Sequence, residues 1–209
     1  LGEFSAYVAV GVLSFKAGLR LVRKRGELMK QAGIENPGGM AAILKLDDAT
    51  VSQICQQVTA EESDGILQVA NFNSPGQVVI SGHNAAIDRG IELALAARAR
   101  KAVKLPVSIA AHSELMRGVA TQFREVVDQT PVNVPEATII ANITAAPLES
   151  VDAIREEMEG QLTSSVQWTA SINEMVAQGV SDFVEIGPKN VLTGLIRRIN
   201  KTPNTYNVG

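Results

Sequence analysis

Apolar positions along the chain switch repeatedly between a helical period and short strand-like runs. In Gly2–Leu13, Phe4, Tyr7, Val8, Val10, Val12 and Leu13 fall close to helical spacing. Ser14 then suits the N-cap of a longer helix from Phe15 to about Gln31, with Phe15, Leu19, Val22 and Met29 as its buried stripe. Arg20, Arg23 and Lys24 share one face of that helix, the pattern of a solvated basic surface. Arg25 projects about 100° further round, given ~3.6 residues per turn. The helix ends near Gly33, and Pro37-Gly38-Gly39 marks a boundary.

From Met40 the period changes. Met40–Leu46 reads as a strand, and Asp47 or Asp48 caps a helix through Val58. Ile66–Phe72 is a second strand, Asn73-Ser74-Pro75-Gly76 a turn, and Gln77–Ser81 a third strand. Asn84 caps an Ala-rich helix to about Ala99, and Lys101–Leu105 is a fourth strand. This β-α-β-β-α-β order is the split βαβ unit. It predicts a ferredoxin-like subdomain over 39–104, set into a body formed by 1–38 and 105–209.

Leu105–Met116 (LPVSIAAHSELM) is expected to run from a strand into a helix, with Ser113 as the cap of SELMRGVATQFREVV. The helix reaches about Asp128. A loop follows over Pro131–Pro135, then a strand at Ala137–Asn142. Ser150 or Asp152 opens a helix to about Leu162, and Val166–Gln178 forms another with Gly179 suited to its C-terminus. Asp182–Ile186 is a strand, Asn190–Asn200 a helix, and Thr205–Val208 a short edge strand. Strands alternating with helices predict an α/β fold with a mostly parallel sheet.

The 209 residues can bury a substantial core. A net charge of −3 does not point to nucleic acid or a membrane surface. No apolar run approaches the ~20 residues that cross a bilayer, and no secretory signal pattern opens the chain, so a cytoplasmic setting is expected. Cys55 is the single cysteine; it excludes an internal disulfide and sits on an apolar helix face as a packing residue. Neither a metal-ligand cluster nor a Gly-rich phosphate loop stands out.

Candidate chemistry centres on His112, one of two histidines. A histidine at the edge of a regular element is suited to moving protons near neutral pH, although position alone equally fits a ring that only bonds the backbone. The other histidine, His83, reads as structural or exposed. Met29 and Met116 fit the lining of a pocket or simple core, Trp168 packs between helix and sheet, and Ser113 is a cap. Asn71, Asn73 and Gln77 could line a cleft mouth, although turn chemistry explains Asn73-Ser74-Pro75-Gly76 as well.

Several blocks occur in one order: LGEFSAYVAVGVLSF, LVRKRGELM, NFNSPGQVVISG, LPVSIAAHSELM, QLTSSVQWTASI and FVEIGPKNVLTGLIRRI. Together they resemble the malonyl-CoA:acyl-carrier-protein transacylase family over nearly the whole chain. The resemblance implies an α/β-hydrolase-like body carrying a ferredoxin-like insert. It also implies ping-pong transfer of malonyl from malonyl-CoA to the phosphopantetheine thiol of acyl carrier protein through a serine ester. Leu1-Gly2 match the last two residues of the family's Gly-His-Ser-Leu-Gly elbow, so the nucleophile is expected immediately before Leu1.

By the same resemblance His112 is the general base, and the backbone carbonyl of Gln161 orients it. The backbone N–H of Leu1 is an oxyanion donor, and Arg25 grips the free malonyl carboxylate. A guanidinium suits that task because its planar fork matches a carboxylate and it keeps its charge. Asn73 and Met29 are further candidate substrate contacts. No metal or redox cofactor is implied. Lys16, Arg20, Arg23, Lys24, Arg197, Arg198 and Lys201 are candidates for docking an acidic carrier protein. The family often has glycine where this chain has Lys189, a change confined to a turn. Rival readings are a polyketide-synthase acyltransferase, a hydrolytic relative (disfavoured because Arg25 would have no carboxylate to hold), and an inactive fragment that only binds carrier protein.

Overall fold

The computed structural model describes residues 2–61 and 65–209. Two short-range features set the first layer. Helix α1 (Glu3–Ala9) turns at Gly11 into helix α2 (Phe15–Glu35), whose first turn is capped by Ser14 Oγ accepting from the Ala17 N–H. The buried face of α2 is Gly18, Leu21, Leu28 and Ala32, not the predicted stripe. Phe15 is 73% exposed and Leu19 60%, Val22 is exposed, and Met29 is half-buried. Both stripes have helical spacing, so periodicity could not choose between them. Close approach did: a Cβ at Gly18 would lie 2.7 Å from Val8 Cγ2, so the glycine lets α2 press against α1.

Strand β1 (Gly38–Leu44), helix α3 (Asp48–Ala60), strands β2 (Leu67–Ser74) and β3 (Gln77–His83), helix α4 (Asn84–Ala96) and strand β4 (Lys101–Lys104) follow in the predicted order. They make one sheet of order β2-β3-β1-β4 in which every neighbouring pair is antiparallel. Asp47 caps α3 through its carboxylate and the Thr50 N–H. His83 Nδ1 accepts the Ile66 N–H and so ties the start of β2, a structural use. A core of Ile43, Val51, Val58, Leu67, Val78, Ile80 and Ile87 lies between this sheet and its two helices.

After β4 the structure departs from expectation. The run 105–111 is not a strand, because Pro106 offers no N–H and the Val107 N–H turns back to the Leu105 carbonyl. Ser113 does not cap with its side chain; its hydroxyl donates to the Ala110 carbonyl, and a 3₁₀ turn (Glu114–Met116) leads into α5 (Arg117–Asp128). The predicted strand 137–142 is reduced to one bridge between Ile140 and Pro147, since its backbone pairs locally with 146–148. Helix α6 (Val151–Gly160) is capped by Ser150, and α7 (Trp168–Ala177) ends before Gly179 in the left-handed region.

Strand β5 (Asp182–Ile186), helix α8 (Val191–Ile199) and strand β6 (Asn204–Val208) close the described chain, β5 and β6 pairing in parallel. The fold is α/β, but its sheet is not mostly parallel. The split βαβ order places β3 between β1 and β2, which makes every neighbour in that sheet antiparallel, and among the described residues parallel pairing is confined to β5 and β6 and to an isolated bridge between Asn71 and Val166. A second core, centred on Tyr7, Leu13, Leu21, Phe123, Ile154 and Met158, joins α1, α2, α5 and α6. The two cores meet where β2 receives the 164–169 segment. The Phe72 N–H donates to the Val166 carbonyl at 2.9 Å, and the Val166 N–H to the Ala70 carbonyl at 2.8 Å.

Candidate active site

A cleft of about 480 Å³ opens at that meeting line. Arg25 reaches it from α2, Asn71 and Asn73 from β2, Gln77 from β3, and Gln161 from just past α6. His112 enters from the turn before the 3₁₀ segment. Its backbone is in the left-handed region at φ 60, a conformation L residues enter at a cost of ~1–2 kcal/mol.

The geometry ties three of these groups together through Gln161. His112 Nδ1 lies 2.6 Å from the Gln161 backbone oxygen. A carbonyl can only accept, so Nδ1 carries the proton and Nε2 keeps its lone pair. The side chain of the same Gln161 accepts from Arg25 Nη2 at 3.1 Å and donates through Nε2 to the Glu3 carboxylate. Its amide orientation follows from charge, oxygen toward the guanidinium and nitrogen toward the acid.

Burial pushes the His112 imidazole down to about 4, and the nearby Arg25 charge adds to the effect against the bond to Gln161. The ring is therefore neutral at neutral pH and has a free acceptor nitrogen. Burial also weakens the hold of Arg25 on its proton, a tendency the Glu3 charge opposes. Arg25 Nε is buried without a partner among the described residues. A half-satisfied guanidinium beside a neutral imidazole suits an anionic substrate.

The cleft brings together His112, Gln161, Arg25 and Asn73, four of the residues expected from the sequence, and also Asn71 and Gln77. Met29 packs against the α1–α2–α5–α6 core, and Met116 is fully buried there. Leu1 lies outside the described residues. Trp168, expected as packing, borders the cleft, as do Glu3, Asn142, Leu192 and Leu195. Glu3 follows Leu1-Gly2 directly, and a lone carboxylate in the apolar pattern of EFSAYVAV was the signal that could have found it. Cys55 is buried, and burial pushes its thiol up to about 12, consistent with packing.

The acyl transferase domain family matches residues 1–206. The chain belongs to that family. Among its relatives, the malonyl CoA-acyl carrier protein transacylase of Bacillus subtilis (strain 168) is 41% identical over 208 residues. That match takes in 100% of this chain and 65% of the relative, so the chain spans just under two thirds of its length. The crystal structure of the malonyl-CoA:acyl carrier protein transacylase of Xanthomonas oryzae pv. oryzae superposes with a TM-score of 0.94 at 40% identity, over 99% of this chain and 65% of that one. A malonyl-transacylase solved in complex with its type II polyketide acyl-carrier protein gives a TM-score of 0.94 at 37% identity, over 99% and 66%. The two solved acyl transferases share the fold over nearly all of this chain. No helix among the described residues is long and apolar enough to cross a membrane.

Proposed function

We propose that this chain supplies the base and the carboxylate grip of a malonyl-CoA:acyl-carrier-protein transacylase. The observation that carries the reading is the double use of Gln161. Its carbonyl fixes the His112 tautomer and its side chain holds Arg25 in the same cleft. Neutral His112 takes the proton of the serine expected beside Leu1 as that oxygen attacks the malonyl thioester carbonyl. It returns the proton to the departing coenzyme A sulfur. The second half-reaction runs the same exchange with the phosphopantetheine thiol of acyl carrier protein. The Leu1 N–H serves the oxyanion, and Arg25 pairs with the distal carboxylate. Once a carboxylate neutralises Arg25, less positive charge opposes protonation of His112, so substrate binding strengthens the base.

Asn73 contributes to the cleft mouth. Substrate contact by Met29 is not part of this reading, given its place in the core. No metal or redox cofactor is required. Arg20, Arg23, Arg197 and Arg198 are exposed and are candidates for docking the carrier protein. Two separate apolar cores support a division into a ferredoxin-like subdomain at 39–104 and an α/β-hydrolase-like body at 1–38 and 105–209.

The test is the intact mass of the full-length protein after brief exposure to malonyl-CoA. A malonyl adduct is expected, lost on replacing the serine ahead of Leu1. Arg25→Ala is expected to lower its formation on the order of 10²-fold for malonyl-CoA, and less for acetyl-CoA, which has no carboxylate. An adduct that forms equally well with Arg25→Ala overturns the assigned grip. Absence of any adduct overturns the reading.

A further inference from the structure

Behind Gln161 lie two acids that the proposed reaction does not use. Glu3 is 9% exposed and Glu157 3% exposed. Their carboxyls lie against each other. Glu157 and Gln161 are four residues apart at the end of α6 and so share one face, which meets Glu3 on α1.

The hydrogen bonds around the pair are asymmetric. Glu3 accepts through both oxygens: Oε1 takes the Tyr7 hydroxyl at 3.1 Å, and Oε2 takes the Gln161 side-chain amide. Glu157 accepts mainly through Oε1, from the N–H groups of Asn142 at 2.9 Å and Ile143 at 3.1 Å. Its Oε2 has only the Ile143 N–H, at 3.4 Å. Among the described residues, the titratable groups that act on the pair are Tyr7 from α1 and, through Glu3, Arg25 from α2. Of these only Arg25 is a cation at neutral pH. Two ionised carboxylates in contact, with one cation nearby, would leave a buried net negative charge, which is strongly unfavourable. One proton removes it, and Glu157 Oε2, held only by the long bond from Ile143, is the oxygen on which it can sit.

We propose that Glu3 and Glu157 share a single proton and form a positioning pair that locks the Gln161 side chain, and through it the tautomer of His112. The proposal rests on the reading of the site given above and adds two residues to it. Glu3, kept anionic, holds Nε2 of Gln161. The opposite end of that amide is thereby turned to Arg25, and the backbone carbonyl is fixed under His112. Burial and the Glu3 charge both raise the proton affinity of Glu157, in keeping with this arrangement.

Infrared and nitrogen NMR spectra of the full-length protein test it. At neutral pH one protonated-carboxyl band is expected, and it should vanish in Glu157→Gln; a wild-type spectrum without the band overturns the shared proton. The second readout is the pair of ring nitrogens of His112, assigned by the signals that vanish in His112→Gln. His112 is expected as a single Nδ1–H tautomer in the wild type and in Glu157→Gln, whose amide donates to Glu3 as the protonated acid does. In Glu3→Ala a mixture of tautomers is expected. If the alanine variant does not fold, Glu3→Asp, which falls short of Gln161, replaces it with the same expectation. An unchanged tautomer in the folded variant overturns the positioning role. Neither readout depends on acyl transfer, so a protein that takes up no malonyl overturns the proposed function and leaves the pair to be decided by the spectra.

Discussion

Lys189 adopts φ 72, in the turn between β5 and α8. A side chain there costs ~1–2 kcal/mol of backbone strain, and glycine returns part of that gain as flexibility of the unfolded chain. Lys189→Gly is therefore expected to stabilise the protein by ~0.5–1 kcal/mol, read from denaturant midpoints at unchanged m-value. Gln161 gives the opposite case. Gln161→Leu keeps the backbone carbonyl under His112 but removes the amide that spans Arg25 and Glu3. Malonyl transfer is expected to fall ~10–100-fold with an accompanying rise in KM, because the loss strands a buried guanidinium and a buried acid together. Gln161→Ala retains the carbonyl as Gln161→Leu does, so the loss common to both variants reports the side chain's part.

At the scale of elements, two of the three glycines of α2 have opposite surroundings. Gly26 has nothing within 4 Å of where a Cβ would stand, whereas Gly18 faces Val8 Cγ2 at 2.7 Å. Helix propensity favours alanine over glycine by ~1 kcal/mol at either place. Gly26→Ala is expected to gain about that amount. At Gly18 the overlap costs ~1–3 kcal/mol and outweighs the propensity, so Gly18→Ala is expected to lose stability by ~1 kcal/mol. Thermal melts of the two variants settle the sign for each. In α5, Phe123 is fully buried, with its ring 6.4 Å from that of Phe4. Phe123→Ala is expected to cost ~3–5 kcal/mol, and α1, which carries Glu3, is expected to loosen with it.

For the whole molecule, two site groups make stability depend on pH with opposite signs. His112 is held down to about 4 in the folded protein against 6.5 when free, so the native state binds fewer protons than the unfolded chain in that range and stability rises with pH. Glu157 is held up to about 8 against 4.5, so the native state keeps a proton that the unfolded chain has lost, and stability falls with pH over that range. The slopes oppose each other between about 4.5 and about 6.5. Above that only the Glu157 slope remains, and stability is expected to fall until about pH 8. Glu157→Gln is expected to abolish the alkaline fall and to uncover the rise due to His112 on the acid side. Denaturation midpoints across this range check both signs.

Local chemistry was legible in the sequence wherever a signal is carried by neighbours along the chain. The caps at Ser14, Asp47 and Ser150, the β-α-β-β-α-β order of residues 38–104, and the Gly179 stop all rest on contacts spanning a few residues, and each appears in the structure. The family blocks also marked His112, Gln161 and Arg25, which lie far apart in the chain. Tertiary structure alone decided which stripe of α2 is buried, since both have the same period and only the approach of Val8 to Gly18 distinguishes them. It also decided that 105–111 and 137–142 form no strand, the Val107 N–H turning back to Leu105 and 139–141 pairing with 146–148. The parallel expectation failed because alternation of strands and helices does not encode which strands become neighbours. Glu3 and Glu157 illustrate the same limit: 154 positions separate them, and their chemistry comes from burial against each other, a property that exists only once α1 and α6 have packed.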